Sequence, residues 1–152
     1  MADGRLSDPT HPTAPLTEED RLDRLRLVRS RRVGAVTFHR LLAEHGTARA
    51  ALAALPEVAR AAGVSDYEPC PPGVALAEMQ AARKLGAAML CHGAPGYPAL
   101  LAELADAPPV LWLLGDAGLL ARPMIAIVGA RNASSLGVRM ARRLADGLGQ
   151  AG

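Results

Sequence analysis

The segment Asp66-Tyr67-Glu68-Pro69-Cys70-Pro71-Pro72-Gly73 constrains the fold more than any other stretch of the chain. Pro69, Pro71 and Pro72 cannot continue a helix, and their fixed φ stiffens whatever they join. The hydrophobic rhythm changes across them. Before the prolines, apolar residues such as Leu22, Leu25 and Val28 recur at helical spacing. After them, short unbroken apolar runs alternate with helical patterns, as in a parallel α/β sheet. This predicts a loose tail over residues 1–15 and an all-α module over 16–66. A proline-rich connector over 67–73 and an α/β portion over 74–152 follow.

Composition supports that division. The 152 residues include 31 Ala and 23 Leu, against four aromatics: Phe38, Tyr67, Tyr97 and Trp112. Such a chain suits closely packed helices and argues against an all-β sandwich or barrel. Half the residues are apolar, which excludes global disorder. The net charge of only +2 excludes a globally basic nucleic-acid binder, so any such site must be local. All the basic residues are arginines except Lys84. Cys70 and Cys91 are too few for a disulfide scaffold and read as reduced thiols. The N-terminus lacks the apolar stretch of a secretory signal. Apolar runs such as Val110–Leu114 fall far below the roughly 20 residues of a bilayer-spanning helix. A cytoplasmic protein with no membrane partner is expected.

Thr17, followed by Glu18, Glu19 and Asp20, caps a first helix over about residues 18–29. A second runs from Ala35 to His45, closed by Gly46. Thr47 opens a third that ends at Leu55, and Pro56 opens a fourth that ends at Gly63. Beyond the connector, Val74–Leu85 is helical, Ala87–Cys91 is a short apolar run, and a short helix starts at Tyr97-Pro98. Pro109–Leu114 and Met124–Val128 read as buried strands, and Ser134–Leu148 as the longest helix. That helix should lead back to a further parallel strand, and none follows within the 152 residues. The chain is therefore expected to be a piece of a longer protein.

The strongest local signal is Met124–Val128 running into Gly129-Ala130-Arg131-Asn132-Ala133-Ser134-Ser135-Leu136-Gly137. A strand, a glycine-bearing turn and a helix N-terminus aim free backbone N–H groups at one point, which suits a phosphate. Gly129 allows close backbone approach, Gly137 allows tight helix–sheet packing, and Ser134 or Ser135 can cap the helix or donate to an oxyanion. Arg131 adds a bidentate fork. The spacing matches neither the dinucleotide fingerprint nor the P-loop. The alternative is a plain capped turn with an exposed arginine.

Leu27–Leu42 is similar to a helix-hairpin-helix, with Arg24, Arg26, Arg29, Arg31, Arg32 and Arg40 supplying charge for a nucleic-acid backbone. Such hairpins carry glycine on both sides of the apolar residue, whereas Val33 lies between Arg32 and Gly34. Arg31, Arg32 and Gly34 are thus secondary DNA-contact candidates. The alternative is a solvated face whose charges pair along the helix. His39, His45 and His92 lack a third partner at metal-ligand spacing, and Asp106 and Asp116 read as turn formers. No nucleophile–base–orienter set is present, and no cofactor is expected.

In this order, the helical module, Gly96-Tyr97-Pro98-Ala99-Leu100-Leu101, Pro108-Pro109-Val110-Leu111, Gly115 and Ile125-Ala126-Ile127-Val128-Gly129-Ala130-Arg131 with Ser134 and Gly137 resemble the DNA-processing protein A family. The likeness covers about residues 20–152. It implies a sterile-alpha-motif or hairpin-type domain joined to an extended Rossmann-like domain. It also implies single-stranded DNA binding, protection of incoming DNA in natural transformation, loading of the RecA recombinase and a homodimer in the full-length protein. No enzymatic activity is implied. The family's phosphate-binding turn maps onto Gly129 and Arg131, followed by Ser134 and Gly137. Its next strand, its S-G-x-A-x-G-I-D segment and its downstream basic residue have no counterpart within the 152 residues. Two other readings stand beside it. One is a Rossmann-like nucleoside-monophosphate phosphoribohydrolase, and the other a helix-hairpin-helix DNA-repair adaptor.

Overall fold

The computed structural model describes residues 15–152, so the predicted tail lies, apart from Pro15, outside the described residues. The chain divides into two compact units, one ending at Ala121 and the other running from Arg122 to Gly152.

Three helices open the first unit: α1 (Glu18–Arg29), α2 (Ala35–His45) and α3 (Ala48–Ala61). Thr17 and Asp20 form a reciprocal capping box, in which each side chain accepts the other's backbone N–H at 3.1 Å. The Thr17 hydroxyl donates to the same carboxylate and holds it below the usual carboxylate range. The predicted break at Pro56 does not occur, because α3 continues through it. Proline removes one helical hydrogen bond at a cost of about 3 kcal/mol. Leu52 and Leu55 before it and Ala59 after it are all buried in one core, and that burial offsets the loss.

Helix α1 is the spine of this unit. Leu27 packs with Phe38 and Leu41 of α2, with Leu52 and Leu55 of α3, and with Tyr67. Leu25 packs instead on Ala75 and Met79, flanked by Met89, Val110 and Trp112. A helix covered from two sides leaves little free face, and its arginines bind backbone instead. Arg21 donates to the Met89 carbonyl at 2.7 Å, Arg24 to His92 at 2.8 Å and Arg26 to Cys70 at 3.0 Å.

The stretch read as a stiff connector is held against this spine. The Cys70 N–H donates to the Ser30 hydroxyl at 2.9 Å, and the Tyr67 hydroxyl donates to the Arg31 carbonyl at 2.6 Å. Helix α4 (Pro72–Lys84) begins at the last proline, where a missing N–H costs nothing. Its Glu78 accepts a two-pronged contact from Arg29 at 2.9 and 2.7 Å, and a third bond from the Trp112 indole at 2.8 Å. The Arg29 guanidinium holds the Glu78 carboxyl below its ordinary range, against the opposing effect of burial.

Strands β1 (Ala88–Cys91) and β2 (Val110–Leu113) form a two-stranded sheet with Ala88 opposite Leu113 and Cys91 opposite Val110. The sheet is antiparallel, which corrects the expectation of parallel pairing for this part of the chain. A parallel return needs a crossover long enough to traverse the sheet. The connection contains only the one-turn helix α5 (Ala99–Ala102), so the chain re-enters at the end it left. A short 3-10 turn at Ala117–Ala121 closes the unit.

The second unit contains helix α6 (Ser135–Ala151), preceded by chain without regular secondary structure. The strand predicted at Met124–Val128 is not formed among the described residues, and the segment is exposed, Val128 to 90%. A strand needs a neighbour for its N–H and C=O groups, and this unit supplies none.

Candidate nucleic-acid interface

The four residues singled out around the glycine turn come together. Gly129, Arg131, Ser134 and Gly137 line one open groove of about 700 Å³, bounded by the turn and the first three turns of α6. Ser134 caps α6, its hydroxyl accepting the Gly137 N–H at 3.2 Å. Its own proton remains available to an acceptor in the groove. The Ser135 and Leu136 N–H groups lie in the first turn, which has no earlier carbonyl of the helix to meet. Aligned peptide dipoles place roughly half a positive charge at such a terminus. Arg131 is exposed and, among the described residues, pairs with no carboxylate.

The two glycines occupy different surroundings. A Cβ on Gly129 would meet no heavy atom within 4 Å, so the backbone there is open to an incoming group. A Cβ on Gly137 would only touch Ala133 Cβ at 3.5 Å and Ser134 Oγ at 3.6 Å, which is ordinary contact. Helix–sheet packing, the role expected of Gly137, has no sheet partner in this unit. Its N–H, bonded to the cap, is what it contributes.

Arg142 also lines the groove and was not singled out from the sequence. The signal was present, because Ser134, Val138 and Arg142 are spaced by four and therefore share one helix edge. Asn132 lines the groove too, and adds an amide that both donates and accepts.

The hairpin candidates are arranged differently. Val33 is buried, and its N–H donates to the Ser30 carbonyl at 3.1 Å, closing a tight turn before α2. Arg32 stands at φ +64°, in the left-handed region where a glycine would rest without strain. Gly34, the one glycine of the hairpin, is the N-cap of α2 with an extended backbone at φ −88°. Arg31 lies over the Tyr67 ring, 5.6 Å from its centroid. Arg24, Arg26 and Arg29 are held by backbone carbonyls and Glu78, so they do not add to the charge of the hairpin. Arg31, Arg32 and Arg40 are the arginines that remain at its surface.

No helix among the described residues is long and apolar enough to cross a membrane. Arginine at the open end of a capped helix, in a groove with exposed backbone, is an arrangement whose chemistry suits an anion. Comparison with known families names the group. Residues 18–81 match the DprA-like N-terminal HHH domain, and residues 88–152 match DNA recombination-mediator protein A. The chain belongs to the DNA-processing protein A family. Its fold class is α/β: a helical hairpin-type module followed by the first part of a Rossmann-like domain. No curated protein matches the chain.

Proposed function

We propose that this protein binds single-stranded DNA through phosphates seated at the Gly129–Gly137 turn, as a non-enzymatic recombination mediator. The groove that gathers Gly129, Arg131, Ser134 and Gly137 at the N-terminus of α6 is the observation that carries the reading. Arg131 supplies the charge-assisted fork, Ser134 a hydroxyl donor, and the first turn of α6 its free N–H groups. Arg142 stands on the same groove as a second cation. Arg31, Arg32 and Gly34 enter only as secondary contacts to the strand. The family membership extends the reading to protection of incoming DNA in natural transformation, delivery of that DNA to the RecA recombinase, a homodimeric full-length form and a cytoplasmic location.

The test is single-strand affinity of the full-length protein as a function of salt. Binding should weaken as salt rises, because each neutralised phosphate releases counterions. Arg131→Ala should lower affinity about ten- to a hundredfold, the equivalent of losing roughly 1.5–3 kcal/mol of hydrogen bonding to a charged group. Arg131→Lys should recover part of it. Arg32→Ala should cost less. Normal binding by Arg131→Ala together with a larger loss in Arg32→Ala would move the DNA site to the hairpin. Incubation with nucleoside monophosphates should release no free base, whereas release would point to a phosphoribohydrolase.

A further inference from the structure

Between the hairpin, α2 and the C-terminal half of α3 lies a small cleft of about 190 Å³ whose apolar lining the DNA reading leaves unused, although Arg31 and Arg32 at its mouth are secondary strand contacts in that reading. Its accessible aliphatic surface comes from half-buried Val58 and Val64 and exposed Ala62, laid over the buried core residues Val33, Leu41, Leu55 and Ala59. Arg31, Arg32 and Arg40 stand around its mouth. Among the described residues Arg31 and Arg32 meet no carboxylate. Arg40 reaches Glu44 at 3.6 Å, one turn along α2, and both side chains are about half exposed. Such a pair is weak and readily exchanged.

We propose that this cleft docks an acidic protein segment, which rests one bulky apolar side chain on the surface where α2 and α3 meet while its carboxylates meet the three guanidiniums. Size and charge together select that occupant. An enclosed apolar cavity of about 150 Å³ holds a benzene-sized group, and this cleft, open to solvent, offers about 190 Å³, room for one phenylalanine or leucine side chain to lie against it. An apolar anchor in a pocket with a charged rim is how small protein interfaces concentrate their affinity.

A nucleobase fits less well. Its edge carries donors and acceptors, and an aliphatic floor would leave them desolvated without partners. The polar groups of the lining are few: the Tyr67 hydroxyl is already bonded to the Arg31 carbonyl, and Thr37 offers a single hydroxyl. The Tyr67 ring, the one aromatic surface on which a base could stack, is covered by Arg31. Hydrocarbon inside and carboxylate outside satisfies both parts of the site.

The experiment titrates the full chain with a synthetic twelve-residue peptide in which acidic residues flank a single phenylalanine. Methyl NMR of Val33, Leu41, Leu55, Val58 and Val64 is the readout. The expected result is shifts confined to these methyls, with affinity falling at least tenfold when serine replaces the peptide's phenylalanine. Arg31→Glu combined with Arg40→Glu should lower affinity at least tenfold, and Ala62→Leu, which narrows the mouth, should do the same. Circular dichroism reports whether these variants remain folded, and the peptide series on the unaltered chain decides the matter if they do not. Equal affinity for the phenylalanine and serine peptides would overturn the proposal, because charge alone would then account for binding. So would shifts of the same methyls by oligothymidylate but not by peptide, or by neither probe.

Discussion

Two helix starts in this molecule offer backbone donors beside an arginine, and they are supported in opposite ways. At the head of α2, the hairpin residue Val33 is buried, Tyr67 braces the turn through the Arg31 carbonyl, and Arg32 is held in a left-handed conformation. At the head of α6, the turn from Gly129 to Ser134 is exposed throughout, and Ser134 ties it to the helix through its hydroxyl on the Gly137 N–H and its carbonyl on the Val138 N–H. The first start is built by a core and lends its surroundings to an apolar cleft. The second leaves backbone, hydroxyl and guanidinium open in one groove. Helix-end electrostatics are the same in both places. What differs is how much of the geometry the neighbouring residues have already arranged.

The largest effect that sharpens this contrast is on packing. Phe38→Ala should destabilise the first unit by about 3–5 kcal/mol, since Phe38 is fully buried among Leu27, Leu41 and Leu52. Leu144→Ala on α6, where Leu144 is 48% exposed, should change stability by no more than about 0.5 kcal/mol. Denaturant melts compare the two directly, and equal losses would erase the distinction between supported and open helix starts.

Glu78→Gln comes next. Removing the charge-assisted contact with Arg29 should cost roughly 1.5–3 kcal/mol, and the cost should depend on pH. The folded carboxyl titrates below its unfolded value because Arg29 and Trp112 donate to it. Its contribution is therefore complete above the unfolded pKa of about 4.3 and is lost as pH falls through the folded value. The stability gap between wild type and variant should be flat near neutrality and should close in acid. A gap that widened on acidification would contradict the pairing.

Arg32→Gly should have a smaller effect of opposite sign, a gain of about 0.5–1 kcal/mol, because glycine adopts φ +64° without a Cβ penalty. A loss would mean that the Arg32 side chain itself supports the hairpin. Ser134→Ala should be of similar size but local: a loss of about 0.5–1 kcal/mol, felt as fraying of the first turn of α6 and faster amide exchange at Gly137. No change in exchange there would show that the cap does not order the groove.

Capping and punctuation were the most legible features. Thr17 with Asp20, Gly46, Thr47 and Ser134 mark helix ends in the sequence and in the structure alike, because each acts on backbone groups within four residues of itself. Pro56 misled for the complementary reason. Its local penalty is real, but it is set against the burial of Leu52, Leu55 and Ala59, which the local pattern does not weigh. The arginines of α1 were read as surface charge because nothing near them in sequence competes for their protons. Their acceptors, the carbonyls of Met89, His92 and Cys70, lie 44 to 68 residues away. The groove residues were legible as a cluster because they sit within nine positions of one another, and Arg142 was missed because it reaches them only through the pitch of α6.

By itself, the sequence determined the helical module, the change of rhythm at the prolines, the turn that opens α6 and the family these imply. Those depend on residues close enough in the chain to interact whatever the rest does. The tertiary structure alone decided that β1 and β2 run antiparallel, that α1 is enclosed from two sides, and that Arg32 carries the strain of the hairpin. Each of these is a choice between local alternatives of similar energy. Contacts between distant residues settle such choices, because only folding brings those residues within reach of one another.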